Sequence, residues 1–316
     1  MDSITHLAPA PTLLRRFVAF PLTLMVIGFV WIAALAIGVA QAYEQLGFAR
    51  NTPEKAFGAV VMAAAVVLGY KAYKRWVERT PDVELPLSGA LPELAAGIAI
   101  GTVLFSAMTG IVALLGGFEV LGLRGAGQIW TMLAIAIVSG TMEETLFRGI
   151  VQRHMEAMVG TWGSLAFTSG LFGLLHITNP NATWFSSLAI ALEAGILLGA
   201  AYLLTRRLWL AIGIHAAWNF TQGWIFSVPV SGGDAPLGLL ITRRVGPDWL
   251  TGGDFGLEAS VVAMVVATGA GLLMLRRAIA KRGLIAPMWQ RKVAEIDQGE
   301  SHADVPVAAR SPADPG

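Results

Sequence analysis

Apolar residues gather in long blocks along this chain, and the blocks are long enough to be membrane helices. Eight of them, at about 17–43, 56–70, 94–117, 128–147, 161–176, 184–204, 208–228 and 257–275, could cross the roughly 30 Å of hydrocarbon in a bilayer. The second and fifth are short, which calls for tilt, flanking interfacial turns or partial re-entrance. The prediction is an all-α, polytopic membrane protein of about eight transmembrane helices enclosing a polar intramembrane site. It comprises one helical domain over 1–293, followed by a disordered cytoplasmic tail over 294–316 that is rich in Asp, Ala, Pro and Ser.

The polar segments between the blocks orient the chain. With a cytoplasmic N-terminus, seventeen of the 22 Lys and Arg residues fall on inner segments and five on outer ones. That asymmetry follows the positive-inside rule and places both termini in the cytoplasm, consistent with a bacterial inner membrane. A signal peptide competes for the N-terminus, since Arg15 and Arg16 resemble an n-region and Ala40, Gln41 and Ala42 a cleavage site. The apolar stretch between them exceeds the ~7–15 residues of a signal core, so a retained first helix is expected.

Composition adds exclusions. The chain of 316 residues is 55% hydrophobic and 14% charged, far below the charge content of soluble domains, and its net charge of +1 gives no footprint for nucleic acid. It contains no cysteine, so disulfides, thiolate metal sites and a cysteine nucleophile are all ruled out. No internal repeat of the kind that marks many secondary transporters is visible.

Against that background the polar residues inside the spans stand out, because an ionised side chain near a bilayer core costs roughly 3 kcal/mol even on insertion scales. The fourth span ends in Glu143 and Glu144, with Arg148 one turn later. Glu144 and Arg148 lie about 40° apart on a helix and can pair, whereas Glu143 is about 140° from Arg148 and is left to face a cavity. The fifth span ends with Phe172 one turn before His176, near Gly170 and Gly173, which allow close helix approach; the seventh carries His215 and Asn219 on one face. A helix-end ion pair, an interfacial histidine and a polar clasp would account for these pairs one at a time. A carboxylate and two imidazoles from three helices are better explained together.

The set suffices to add water to a carbonyl. A carboxylate serves as general base, a neutral histidine shares the water, and a second histidine with an amide stabilises the oxyanion. No serine is spaced for an acyl-enzyme route. Glu143, His176 and His215 also supply one carboxylate and two imidazoles, the donor set of many hydrolytic zinc sites, although the H-E-x-x-H helix is absent. The direct water route requires no cofactor.

The ordered set Glu-Glu-x-x-x-Arg, Phe-x-x-x-His and His-x-x-x-Asn on successive membrane helices resembles the CPBP family of CAAX proteases and bacteriocin-processing enzymes, over about 128–226. The resemblance implies an all-helical intramembrane endopeptidase. It places the catalytic glutamate on Glu143, the first histidine on His176, and the second histidine and asparagine on His215 and Asn219, with Glu144, Arg148 and Phe172 in support. The implied substrate is a membrane-anchored, amphipathic or lipidated polypeptide reached laterally or from the cytoplasm. Two other classes share these features: a non-proteolytic immunity or scaffold protein, and a proton-coupled transporter.

Three points stay open. Glu193 lies mid-span and reads as a hydrogen-bonded structural acid or an accessory to the site. The outer segment 229–256, with its glycines, reads as an ordered loop capping the bundle. With straight helices His176 and Glu143 sit at different depths. Either the fourth helix continues past Arg148 towards His154 or the fifth begins below the surface, and Arg148 is expected inside the protein in both cases.

Overall fold

The computed structural model describes residues 12–291, so the tail expected at 294–316 lies outside the described residues. Helix α1 (Pro21–Gln45) is followed by α2 (Pro53–Tyr73), whose start is set by the Thr52 hydroxyl accepting from the Lys55 amide and by Pro53 at the first helical position. Helix α3 (Ala90–Leu114) leads into strand β1 (Phe118–Leu123). Then come α4 (Ile129–Glu144), π-helical turns over Thr145–Gln152, and α5 (Arg153–Leu175). Helix α6 (Trp184–Ile190) opens on a capping box between Thr183 and Ser186 and passes through a π-helical turn (Ala191–Gly195) into α7 (Ile196–Thr205). Helix α8 (Trp209–Phe220), strand β2 (Leu240–Arg244) and α9 (Val261–Arg282), capped by the Ser260 hydroxyl, complete the order.

Six helices among the described residues are long and apolar enough to cross a membrane, and the chain is an all-α polytopic membrane protein. Eight are expected from the apolar blocks, and the difference has two sources. Ile129–Thr178 is a single helical run of 50 residues, and α8 spans only 12 residues before a π-helical turn (Thr221–Ile225). The long run breaks at Gly160, whose φ of 76° only glycine adopts without strain, and residues on either side of the break meet: Phe147 packs edge-on against Phe172 with ring centres 4.9 Å apart. The depth problem is thereby solved by the first route. The fourth helix continues through Arg148, which is fully buried, before the chain turns.

This turn is strapped. The Thr161 amide donates to the Ile285 carbonyl at 3.0 Å and the Ile285 amide to the Thr161 hydroxyl at 2.9 Å, while a Cβ on Gly160 would lie 2.6 Å from that carbonyl. Ion pairs of Glu156 with Arg206, and of Glu78 with Arg153 and Lys74, tie the same end of the bundle to its neighbours.

Helix α8 is wedged at the centre. A Cβ on Gly97 of α3 would approach the Leu210 carbonyl to 2.4 Å, and one on Gly140 of α4 would touch Ala216 at 3.0 Å. Small residues thus let backbones meet on both flanks and fix the rotation of the helix that bears His215 and Asn219. Gly97→Val should cost about 1–3 kcal/mol of stability by overpacking, read as a lowered thermal denaturation midpoint in detergent. An unchanged midpoint would show that α3 and α8 tolerate separation.

At the other end, β1 and β2 pair antiparallel, from Phe118 opposite Arg244 to Leu123 opposite Leu240. Apolar blocks give no signal for such short strands outside the spans. The segment expected as a plain ordered loop therefore contributes a strand as well as covering the bundle.

Candidate functional site

The two adjacent glutamates diverge as helical geometry requires. Glu144 is fully buried, and its Oε1 accepts from Arg148 Nη1 at 2.9 Å and lies 2.8 Å from His215 Nδ1. Glu143, on the other face of the turn, lines a cavity of about 670 Å³ together with His176, His215 and Asn219. The Glu144–Arg148 pairing follows from their i,i+4 spacing. The bond to His215 does not, because it joins residues 71 apart in sequence.

Arg148 holds this centre from behind. Its guanidinium lies over the Phe172 ring at 4.7 Å and donates through Nη2 to the Ala194 carbonyl at 3.1 Å. Arginine suits the position because one planar group serves a carboxylate, a ring face and a carbonyl at once. Phe172 in turn sits 4.7 Å from the His176 ring and 6.3 Å from the His215 ring, so the aromatic before His176 spaces the two imidazoles.

Each imidazole has one nitrogen committed. His176 Nδ1 lies 2.7 Å from the Phe172 carbonyl, which can only accept, so Nδ1 carries the hydrogen and Nε2 is left for the cavity. His215 Nδ1 is committed to Glu144, and its Nε2 lies 3.9 Å from Glu143 Oε2. Asn219 donates through Nδ2 to the Ser139 hydroxyl at 2.9 Å and keeps its second amide hydrogen. Of the two glycines expected to admit close approach, Gly173 does so, since a Cβ there would lie 2.3 Å from the Ser187 carbonyl, whereas Gly170 faces open space.

The structure therefore brings Glu143, His176, His215 and Asn219 onto one wall, with Glu144, Arg148 and Phe172 beneath it. Glu193 stands apart from the large cavity. It is buried, sits in the π-helical turn Ala191–Gly195, and lines a second, smaller space behind the histidines. Ser139 has no part in the sequence motifs, although its place one turn before Glu143 is a legible signal. Glu258 also faces the smaller space, from a 3-10 turn (Leu257–Ala259) before α9. Nothing local in the sequence marks it.

Glu143, His176 and His215 share the cavity wall, but among the described residues no group of three or more His, Asp or Glu side chains is arranged to hold an ion.

The mouth of the large cavity is formed by Gln128 and by the segment from Val230 to Leu237, where Asp234, Ala235 and Leu237 reach the surface. Its side wall includes Ile135 and Leu175, both exposed on the flank of the bundle. The segment 229–256 is thus part of the site and more than a cover.

No curated protein and no solved structure matches this chain significantly. Residues 125–221 match the family model described as Rce1-like, type II CAAX prenyl endopeptidase, a stretch that runs from the start of α4 to the end of α8 and contains every motif residue above. Over those residues this polytopic membrane chain is similar to the Rce1-like domain of the CPBP family.

Proposed function

We propose that this protein is an intramembrane endopeptidase that hydrolyses a peptide bond of a membrane-associated or lipidated polypeptide with water activated by Glu143 and His176. The observation that carries this reading is the division of labour between the adjacent acids. Glu144 is consumed by Arg148 and His215, while Glu143 faces the cavity 3.9 Å from His215 Nε2. A carboxylate without a structural partner, on a cavity wall that also bears two imidazoles, is suited to general-base work.

In this mechanism a water donates one hydrogen bond to the Glu143 carboxylate and the other to His176 Nε2. Its oxygen attacks the scissile carbonyl carbon as Glu143 takes the proton. The carbonyl oxygen becomes an oxyanion facing the free amide hydrogen of Asn219 and a proton on His215 Nε2, the charge of that ring being balanced by Glu144. When the C–N bond breaks, the proton on Glu143 passes to the leaving amine. No cofactor is called on.

The substrate reaches the site from the membrane flank, between Ile135 and Leu175, or from the mouth at 230–237. The opposite end is filled by the buried side chains of Arg148 and Gln152, which opposes access from there. With the orientation set by the positive charges, the protein sits in a bacterial inner membrane with both termini cytoplasmic; its mouth then opens on the far side, so the expected entry from the cytoplasm gives way to entry from the flank or from that side.

Asn219→Ala tests the oxyanion assignment. It should lower kcat about 10²–10³-fold with KM changed far less, measured on an anchored peptide in detergent. A wild-type kcat in that variant would remove Asn219 from the mechanism.

A further inference from the structure

The mechanism leaves two buried acids unused. Glu193 and Glu258, 1% and 2% exposed, both line a small cavity of about 30 Å³ behind the site, room for a water molecule or two. Among the described residues Glu193 Oε2 has no hydrogen-bond partner, and neither carboxylate is in an ion pair. Glu258 accepts from the Ser231 amide. His176, His215, Asn219 and Ser231 line this cavity and the large one alike, so they form the partition between the two.

Two buried carboxylates facing one small cavity disfavour double ionisation, because burial penalises each charge and the two repel each other. The elements around them supply no dedicated cation. The 3-10 turn that follows α5 presents His176, α8 presents His215, and α9 presents Ala267. Arg148 reaches the backbone carbonyls of Ala194 and Gly195 but spends its charge on Glu144. Glu143 lies beyond the partition. The π-helical turn at Ala191–Gly195 adds a local departure from α-helical spacing where Glu193 enters the core, a feature that often accompanies functional positions.

We propose that Glu193 and Glu258 form a proton-binding site in which the two carboxyl groups share one proton across a buried water, directly behind the oxyanion wall. The pair itself is independent of the peptidase reading; its effect on turnover rests on that reading. While the proton is held, the pair carries a single negative charge. When it is released, through the water and the Ser231–Asn219 partition to the large cavity and solvent, a second negative charge appears behind His215 and Asn219 and opposes the oxyanion. Burial pushes the Glu258 carboxyl up to about 7. Turnover therefore falls as pH rises through the point at which the pair gives up this proton.

The test uses the full chain in detergent. Infrared difference spectra recorded across neutral pH should show a protonated-carboxyl C=O band that loses intensity as pH rises. The band should change its frequency and its pH midpoint in Glu193→Gln and in Glu258→Gln, each checked for wild-type thermal stability, and be kept unchanged in Glu143→Gln. In parallel, the alkaline limb of the pH–rate profile should be lost in Glu193→Gln, because the single remaining acid can place no second negative charge behind the oxyanion wall. A structural role alone would not move that limb. If the band is missing from the wild type, or is unchanged in both variants, the shared proton is refuted. If the band behaves as stated but no peptide is cleaved, the proton site stands and the peptidase reading falls. If the band behaves as stated and the limb stays in place, the proposed link to turnover is wrong.

Discussion

Glu143→Gln should abolish peptide cleavage for practical purposes, lowering kcat by about 10²–10⁴-fold while the protein folds normally. The magnitude follows from what the amide removes. The substituted carboxamide would keep the size and the hydrogen-bonding reach of the side chain on the cavity wall, but it could neither take a proton from water nor return one to the leaving amine. Glu143 has a quarter of its side chain accessible and no structural partner closer than the 3.9 Å approach to His215, so little stability depends on its charge. Rates on an anchored peptide, with a thermal scan on the same samples, measure both halves. Equal rates for the two proteins would exclude Glu143 as the base.

Arg148→Met should be the most destabilising single change in the site, costing about 3–5 kcal/mol. It would strip the partner from Glu144, a carboxylate with no exposed surface, and also release the Phe172 ring and the Ala194 carbonyl. Since whole domains are stable by only about 5–15 kcal/mol, the variant should express poorly or melt far below the wild type. Adding Glu144→Gln should recover part of the loss, because the buried charge is then removed from both sides. The recovered protein should remain inactive, since His215 Nδ1 would have lost the carboxylate that orients it. A single variant that melts like the wild type would contradict the view of Arg148 as the support of the site.

How far the sequence discloses this site depends on the range of each interaction. The divergence of Glu143 from Glu144, the Glu144–Arg148 pair and the shared face of His215 and Asn219 are consequences of helical period, and all are legible in a few residues of sequence. The bonds of Glu144 to His215 and of Asn219 to Ser139 join residues 71 and 80 apart. They depend on how Gly97 and Gly140 set the rotation of α8, which no local pattern specifies. The count of spans is obscured for a related reason. The helix bearing Glu143 does not stop at the membrane-like end of its apolar block; it continues through a buried arginine and turns only at Gly160. Hydropathy treats Arg148 as a boundary because it cannot see the carboxylate, ring and carbonyl that take up its charge. The strands β1 and β2, and Glu258 beside Glu193, lie outside the periodic elements and leave no sequence signal.

The most direct test of the account incubates purified wild-type and Glu143→Gln proteins in detergent with a pool of membrane-anchored peptides, with and without chelator, and reads new peptide termini by mass spectrometry. New termini from the wild type alone, undiminished by chelator, are the predicted result. Identical pools from the two proteins would contradict the assignment of a glutamate-dependent intramembrane endopeptidase, and cleavage lost on chelation would contradict the metal-free water mechanism.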